Sequence, residues 1–229
     1  MTGTTLWDLV AWRAARTPGA PALIQGAVSA RQERRISFGA LHRRHGGTSH
    51  ALKAWGRVAA GLYERGVRPG SRVVWQLPTL PQALKEQGAP TETVLFSLAL
   101  ARIGAVQSPV LPLYRAHETG QVLRRTRAAF FAVPGVRRGF DHRAMADRPA
   151  AGLPRPPTVI EAYDSLPDAD PAVLPPPPAD DDAVRWIYWT SGTTSAPKGV
   201  LHTDRSLRPA GPRTRRTRLR GRRTAPGCR

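Results

Sequence analysis

Short apolar runs alternate with longer amphipathic segments through residues 72–191. The runs have the length of strands and few polar positions, whereas the segments between them repeat apolar residues at helical spacing. Continuous apolar runs are typical of strands buried on both faces in a parallel sheet. The order therefore predicts an α/β fold in which βα units repeat around a mostly parallel sheet. The predicted strands are RVVWQLP (72–78), AVQSPVL (105–111), AAFFAVP (128–134), PTVIEA (157–162) and VRWIYWTS (184–191).

The N-terminal segment adds further elements. TTLWDLVAWRAAR (4–16) predicts an amphipathic helix that is capped by Thr4 or Thr5. ALIQ (22–25) and RISFGAL (35–41) predict short strands around a polar turn, with a helix that starts at Ser37. AWGRVAAGLYERG (54–66) resumes the helical pattern, and Gly66 is expected to end it. The residues expected to face inward are Leu6, Leu9, Val10 and Trp12 in the first helix and Trp55, Val58 and Leu62 in the later one.

A segment with four consecutive prolines and three consecutive aspartates joins the last two predicted strands. It reads LPDADPAVLPPPPADDDA (166–183). Proline-rich sequence favours an extended and solvated backbone. We therefore expect a linker that is extended and exposed.

The formal net charge of +19 makes nucleic acid an alternative partner, but much of this charge lies in one terminal segment. Residues 208–229 contain nine of the 35 basic residues and no acidic residue, which leaves a net charge of +10 on the rest. We expect this segment to be disordered because it has little apolar surface to bury. The chain then divides into residues 1–207 and an Arg-rich disordered tail, 208–229. Such a tail favours nonspecific contacts with anions, and no specific nucleic-acid partner is predicted.

Cysteine content and hydropathy bear on the compartment. Cys228 is the only cysteine in these residues, so they contain no intrachain disulfide and no cysteine-based metal site, which fits a reducing cytosol. The N-terminal segment lacks the basic region of a signal peptide. The most apolar run, VLFSLALA (94–101), is too short to span a bilayer. We predict a cytoplasmic protein without a membrane span.

The segment TSGTTSAPKG (190–199) follows the last predicted strand and combines hydroxyl groups, glycines and one lysine. Backbone N–H groups and hydroxyls in a tight loop after a strand bind anions, and glycine permits close approach and positive φ. Lys198 adds a positive charge that suits phosphate oxygens. The segment is not a Walker loop or a G-x-S-x-G elbow. A Ser/Thr/Gly surface turn is the alternative, but the order of strand, T-S-G-T-T and P-K-G-V favours phosphate binding.

The stretch YWTSGTTSAPKGV (188–200) resembles the phosphate-binding signature of the adenylate-forming enzymes, T-S-G-[ST]-[ST]-G-x-P-K-G-V. This family includes acyl-CoA synthetases, luciferases and the adenylation domains of peptide synthetases. Ser195 departs from the pattern because it stands where glycine is usual. The resemblance covers roughly residues 4–207. Within the family, the sequence is similar to the CoA ligases of medium-chain, alicyclic or aryl acids. It implies an enzyme of fatty-acid or related metabolism.

The resemblance implies ATP, Mg²⁺ and coenzyme A as cofactors and a carboxylic acid as substrate. Such enzymes form an acyl-adenylate and pyrophosphate, and then transfer the acyl group to coenzyme A. Lys198 is the implied catalytic residue, and no metal ligand is assigned. The family's adenine-binding segment, its magnesium-associated Glu and its small C-terminal domain would all follow residue 207. The resemblance thus implies a truncated ligase that is inactive alone. The residues implied in phosphate binding are Thr190, Ser191, Gly192, Thr193, Thr194, Ser195, Lys198 and Gly199.

Other functions stay open beside this one. A phosphate-binding segment also suits a noncatalytic nucleotide-binding protein, and the basic tail suits nonspecific binding of nucleic acid. His42, His45 and His50 raise a metal site as a third alternative. A Gly-Gly break and the lack of nearby carboxylates favour a solvated loop there. His142 follows Asp141 at a predicted helix start, where we expect capping.

Overall fold

Strands and helices alternate through the described residues, which are 4–25, 34–42, 55–78, 91–190 and 198–208 in this computed structural model. The helices there are α1 (Leu6–Arg16), α2 (Phe38–His42), α3 (Trp55–Glu64), α4 (Thr91–Ile103), α5 (Ala116–Thr126), α6 (His142–Ala151) and α7 (Asp204–Leu207). The strands are β1 (Pro21–Gln25), β2 (Arg34–Ser37), β3 (Arg72–Trp75), β4 (Val106–Pro109), β5 (Phe130–Val133), β6 (Val136–Arg137), β7 (Phe140–Asp141), β8 (Thr158–Glu161), β9 (Val184–Thr190) and β10 (Lys198–Thr203).

Six of these strands form one sheet in the order β10-β9-β4-β3-β5-β8. Every neighbouring pair is parallel except β10 and β9, which are antiparallel. The prediction of a mostly parallel sheet in an α/β fold is confirmed. Two small antiparallel pairs, β1–β2 and β6–β7, lie outside this sheet.

Helices cover both faces of the sheet at β3, which explains why this strand is apolar from Val73 to Trp75. Val73 and Trp75 of β3 pack on one face with α3 and α4, whereas Val74 packs on the other face with α5 and α6. Successive strand residues point to opposite faces, so neither face of β3 has a place for an unpartnered polar residue. Phe96 of α4 and Phe131 of β5 are fully buried, one in each apolar layer.

The predicted N-cap of α1 is confirmed at Thr5, but the predicted face of α1 is only partly right. The Thr5 side chain accepts a hydrogen bond from Asp8 N, and the Asp8 carboxylate accepts one from Thr5 N. Leu9 and Trp12 are exposed, whereas Val10 and Ala14 are buried. Val10 and Ala14 stand one turn apart, so they share the face that docks. The Trp12 ring instead lies against the guanidinium of Arg16 on the outer side.

The proline-rich linker is exposed over much of its length, as expected, but it is not free. The Asp168 carboxylate accepts two hydrogen bonds from the Arg57 guanidinium on α3, at 2.8 and 3.0 Å. Further along, Pro175 O accepts a hydrogen bond from Arg102 of α4, and the Asp181 side chain is only 2% exposed. Because proline has no backbone N–H, a proline-rich segment can lie against helices without leaving many donors unpaired.

The segment after the motif also differs from expectation. Residues 198–203 form β10, which was not predicted, and α7 follows directly. Arg208, the first residue assigned to the tail, donates a hydrogen bond to Asp181 Oδ2 at 2.6 Å. Residues 209–229 lie outside the described residues, so the prediction of a disordered tail stays a prediction for them.

Candidate functional site

The carboxyl ends of β3, β4, β5 and β9 lie at the same edge of the sheet, because these strands are parallel. Ligands of open α/β sheets bind outside this edge. β9 ends there at Thr190, and β10 begins there at Lys198, which pairs with Thr190. The candidate phosphate-binding segment therefore connects two paired strands at the edge where ligand binding is expected.

Three of the eight predicted binding residues are described, and they lie together at the start of this hairpin. Thr190, Lys198 and Gly199 are all exposed, and Thr190 Oγ1 lies 3.5 Å from Lys198 O, to which it donates. An exposed ammonium group beside an exposed hydroxyl suits an anionic ligand such as a polyphosphate. The other predicted residues, namely Ser191, Gly192, Thr193, Thr194 and Ser195, lie outside the described residues, so their roles stay predictions.

Gly199 lies in close packing, whereas its φ angle does not call for glycine. It lies within β10, and the glycines with positive φ are others, such as Gly66 and Gly104. A Cβ at Gly199 would lie 3.1 Å from Ile187 Cγ2 and 3.4 Å from two ring atoms of Trp189. The close approach that the sequence suggested is thus present, whereas the positive φ is not.

The end of β9 is anchored to its neighbour by a side-chain hydrogen bond. Trp189 Nε1 donates to Ser108 Oγ of β4 at 2.8 Å, and Ser108 is almost fully buried. Trp189 immediately precedes Thr190, so this bond fixes the strand one residue before the motif begins. Tyr188 precedes Trp189, and its ring stacks on Trp186 and meets the ring of His202 at a steep angle. Trp186 is buried, as expected for the core.

Two aspartates at the other end of the hairpin were missed by sequence reasoning. Asp204 is 7% exposed and accepts hydrogen bonds from Leu6 N and Trp186 Nε1. Asp181 accepts hydrogen bonds from the guanidinium groups of Arg205 and Arg208. The bond from Arg205 is the main reason that the pKa of Asp181 lies below its usual value. No local pattern could reveal these contacts, because Leu6 and Asp204 stand 198 residues apart.

A second polar group lies at the same edge, after β3. Gln76 is fully buried, and its amide nitrogen donates to Leu111 O and Tyr114 O in the connection from β4 to α5. His142, at the start of α6, is 5% exposed and faces Gln76. Burial lowers the pKa of His142, and the positive charge of Arg115 lowers it further. Capping of α6 falls to Asp141, whose Oδ1 accepts from Ala144 N at 2.8 Å, so that prediction is confirmed.

Of the three histidines in the alternative metal site, only His42 is among the described residues. His42 ends α2, while His45 and His50 lie outside the described residues. Within the described ranges, no group of three His, Cys, Asp or Glu side chains could hold a metal ion. Among the helices described there, none has both the length and the apolar character to cross a membrane.

Comparison with known proteins agrees with this arrangement of strands and motif. The sequence profile of a family described as AMP-binding enzyme matches residues 10–211. The chain belongs to this AMP-binding enzyme family. The match includes the candidate phosphate-binding segment and the sheet that carries it.

Two curated relatives of this AMP-binding chain are named as ligases. The chain is 35% identical over 169 residues to a salicyl-AMP ligase / salicyl-S-ArCP synthetase of Mycobacterium tuberculosis, covering 69% of this chain and 28% of the relative. It is 31% identical over 223 residues to a 2-hydroxy-7-methoxy-5-methyl-1-naphthoate–CoA ligase of Streptomyces carzinostaticus, covering 90% and 35%. The chain thus spans about a third of the length of these relatives.

Solved structures share the fold. The o-succinylbenzoate CoA synthetase of Bacillus subtilis, solved with its acyl-adenylate intermediate, has a TM-score of 0.59 at 20% identity, covering 88% of this chain and 43% of that chain. The fatty acyl-adenylate ligase of L. pneumophila has a TM-score of 0.58 at 17% identity, covering 87% and 30%. The described sheet thus has the fold found in adenylate-forming ligases.

Proposed function

We propose that this chain carries the ATP phosphate-binding part of a carboxylate–CoA ligase. The observation that supports it most directly is the position of the T-S-G-T-T-S-A-P-K-G segment. It connects β9 and β10 at the carboxyl edge of a parallel sheet, with exposed Lys198 and Thr190 paired at its two ends. In the proposed reaction a carboxylate attacks the α-phosphorus of ATP, which yields an acyl-adenylate and pyrophosphate. Coenzyme A then takes the acyl group as a thioester.

The residues of this segment would act by binding and charge compensation. The ammonium group of Lys198 would lie against the β and γ phosphates and offset the charge of the departing pyrophosphate. The hydroxyls of Thr190, Ser191, Thr193, Thr194 and Ser195 and the backbone around Gly192 and Gly199 would donate hydrogen bonds to phosphate oxygens. Mg²⁺ would accompany the nucleotide.

An aryl carboxylic acid is the proposed substrate class. It is supported by the relatives, because three of them are named for salicylate, a naphthoate and 2,3-dihydroxybenzoate. The matching relatives also include acetyl-coenzyme A synthetases at lower identity, so a short acyl acid is the comparison substrate for any test.

The 229 residues alone would bind nucleotide but would form neither the acyl-adenylate nor the thioester. This proposal is supported by the share of the relatives that the chain spans, which is 28% and 35% for the two compared above. Purified chain with Mg-ATP, coenzyme A and salicylate or acetate is therefore expected to release no pyrophosphate. Release of pyrophosphate that depends on either acid would contradict it.

The test of the phosphate-binding role is a titration of the whole chain with Mg-ATP and with pyrophosphate. Lys198→Ala is expected to weaken both affinities by roughly tenfold, because a charge-assisted contact to phosphate contributes about 1.5 kcal/mol. Arg155→Ala is the matched control, since Arg155 is an exposed cation in the connection between α6 and β8. Equal affinity in the wild-type and Lys198→Ala chains would refute the role of Lys198.

A further inference from the structure

Asp204 holds the far end of β10, the strand that follows the phosphate-binding segment. This residue begins α7 directly after β10 and is 7% exposed. Its Oδ2 accepts a hydrogen bond from Leu6 N at 3.0 Å, and its Oδ1 accepts one from Trp186 Nε1 at 3.4 Å. Leu6 is the first residue of α1, where the helix dipole favours a negative charge. One carboxylate thus joins the end of β10 to β9 and to α1.

A second carboxylate fastens the same place from the proline-rich segment. Asp181 Oδ1 accepts a hydrogen bond from Arg205 Nη2 at 2.9 Å, and its backbone oxygen accepts one from Arg205 N at 2.9 Å. Its Oδ2 accepts one from Arg208 at 2.6 Å. Asp181 precedes β9, and Arg205 follows β10, so the contact closes the open end of the hairpin. We call Asp181 and Asp204 the aspartate clasp.

β10 is held by its pairing with β9 and, at its far end, by this clasp. β10 lies at the edge of the described sheet and pairs only with β9 there. Val200 and Leu201 in its middle are 42% and 61% exposed, so its side chains contribute little packing. Because the pairing with β9 runs from Thr203 to Lys198, we expect a shift at the far end of β10 to change the position of Lys198.

We propose that Asp181 and Asp204 are positioning residues for Lys198. They hold the open end of the β9–β10 hairpin against α1 and thereby place Lys198 at the carboxyl edge of the sheet. This inference rests on the proposed role of the segment in binding ATP. It predicts in addition that Asp204, at the other end of the hairpin from Lys198, affects nucleotide affinity.

The experiment compares Asp204→Ala and Asp204→Asn with wild-type chain, using Mg-ATP titration and hydrogen exchange of the β10 amides. Loss of positioning in Asp204→Ala should weaken ATP binding about tenfold, since small displacements of binding groups reduce their effect steeply. Asparagine keeps an acceptor oxygen for one of the two donors, so it should restore part of the affinity. Asp147→Ala is the matched control, because it removes an exposed carboxylate on α6. Arg205→Gln tests the Asp181 side and carries the comparison if Asp204→Ala does not fold.

The outcomes separate this inference from the proposed function. Faster exchange in β10 together with weaker ATP binding supports the clasp as a positioning device. A folded Asp204→Ala chain with a lower melting temperature and unchanged ATP affinity overturns it, since the clasp is then structural only. If wild-type chain does not bind ATP, the proposed function fails. Exchange in β10 then decides whether the clasp holds the strand, and unchanged exchange overturns it.

Discussion

The imidazole Nδ1 of His142 lies 3.4 Å from Oε1 of Gln76, and both side chains are buried. Gln76 follows β3, and its amide nitrogen reaches two carbonyl groups in the connection after β4. His142 lies after β5, at the start of α6. This pair therefore links the connections that follow three parallel strands, at the edge where Thr190 and Lys198 also lie.

We expect His142 to make the stability of the chain fall as the pH drops below the ordinary histidine pKa of 6.5. Burial, and then the charge of Arg115, lower its pKa below the ordinary value of 6.5, while Asp141 opposes this shift. The unfolded chain then binds a proton at a higher pH than the folded chain does. Stability is full above the unfolded pKa and is lost as the pH falls through 6.5 towards the folded pKa. Urea unfolding at pH 7, 6 and 5 measures the slope.

The variant His142→Gln should flatten this slope, because glutamine does not titrate. His117→Gln is the matched control, since His117 is exposed on α5, and it should keep the wild-type slope. The pKa of Asp181 is also lowered, but from 3.8, so its contribution is lost only at lower pH. An unchanged slope in His142→Gln would rule out His142 as the titrating group.

Gly61 on α3 cannot be enlarged, because the proline-rich segment crosses it. A Cβ there would lie 2.5 Å from Pro167 C and 2.9 Å from Asp168 Cα, and closer still to Asp168 N. These are backbone atoms, held in place by the Arg57–Asp168 contact. We expect Gly61→Ala to lower the free energy of unfolding by about 2–3 kcal/mol, the upper range for overpacked sites. Thermal or urea unfolding measures the loss.

Gly56→Ala is the control in the same helix. A Cβ there would meet only Pro171 side-chain atoms, at 3.8 Å or more, which is ordinary contact. Alanine favours helix over glycine by up to about 1 kcal/mol, so this variant should be neutral or slightly stabilised. Equal effects at the two glycines would show that the proline-rich segment does not rest on α3.

The centre of the sheet was predictable because a strand that is buried on both faces is a continuous apolar run in the sequence. Val73, Val74 and Trp75 are apolar in succession, and this pattern suffices to place β3 between two layers of helices. The strand β10 has no such apolar run. It lies at the edge, Val200 and Leu201 are exposed, and its pairing with β9 depends on a connection of seven residues.

The proline-rich segment and the clasp were not predictable for a different reason. Their contacts join residues far apart in the chain, such as Arg57 with Asp168 and Leu6 with Asp204. Composition indicated an exposed linker, but it could not indicate the close contact of this segment with Gly61 on α3. The motif itself was recognised from local order, but the closeness of Gly199 to the Trp189 ring required the register of the hairpin.

The hydrogen bond from Trp189 Nε1 to Ser108 Oγ, 2.8 Å long, should couple the two residues energetically. Ser108→Ala leaves the indole N–H without this acceptor, and we expect a loss of about 1 kcal/mol in unfolding free energy. Trp189→Phe removes the donor as well as ring area. In the double variant, Ser108→Ala should have less effect, giving a coupling energy of about 0.5–1.5 kcal/mol in a double-mutant cycle. Urea unfolding of the four chains measures it.

The same cycle with Trp12→Phe in place of Trp189→Phe is the control, because Trp12 lies on the outer side of α1 and packs against Arg16. Its effect should add to that of Ser108→Ala, since distant sites without a shared partner are independent. Additivity in the Trp189 cycle as well would mean that the hydrogen bond does not stabilise the end of β9. Coupling only in the Trp189 cycle would establish that β4 anchors β9 one residue before the phosphate-binding segment begins.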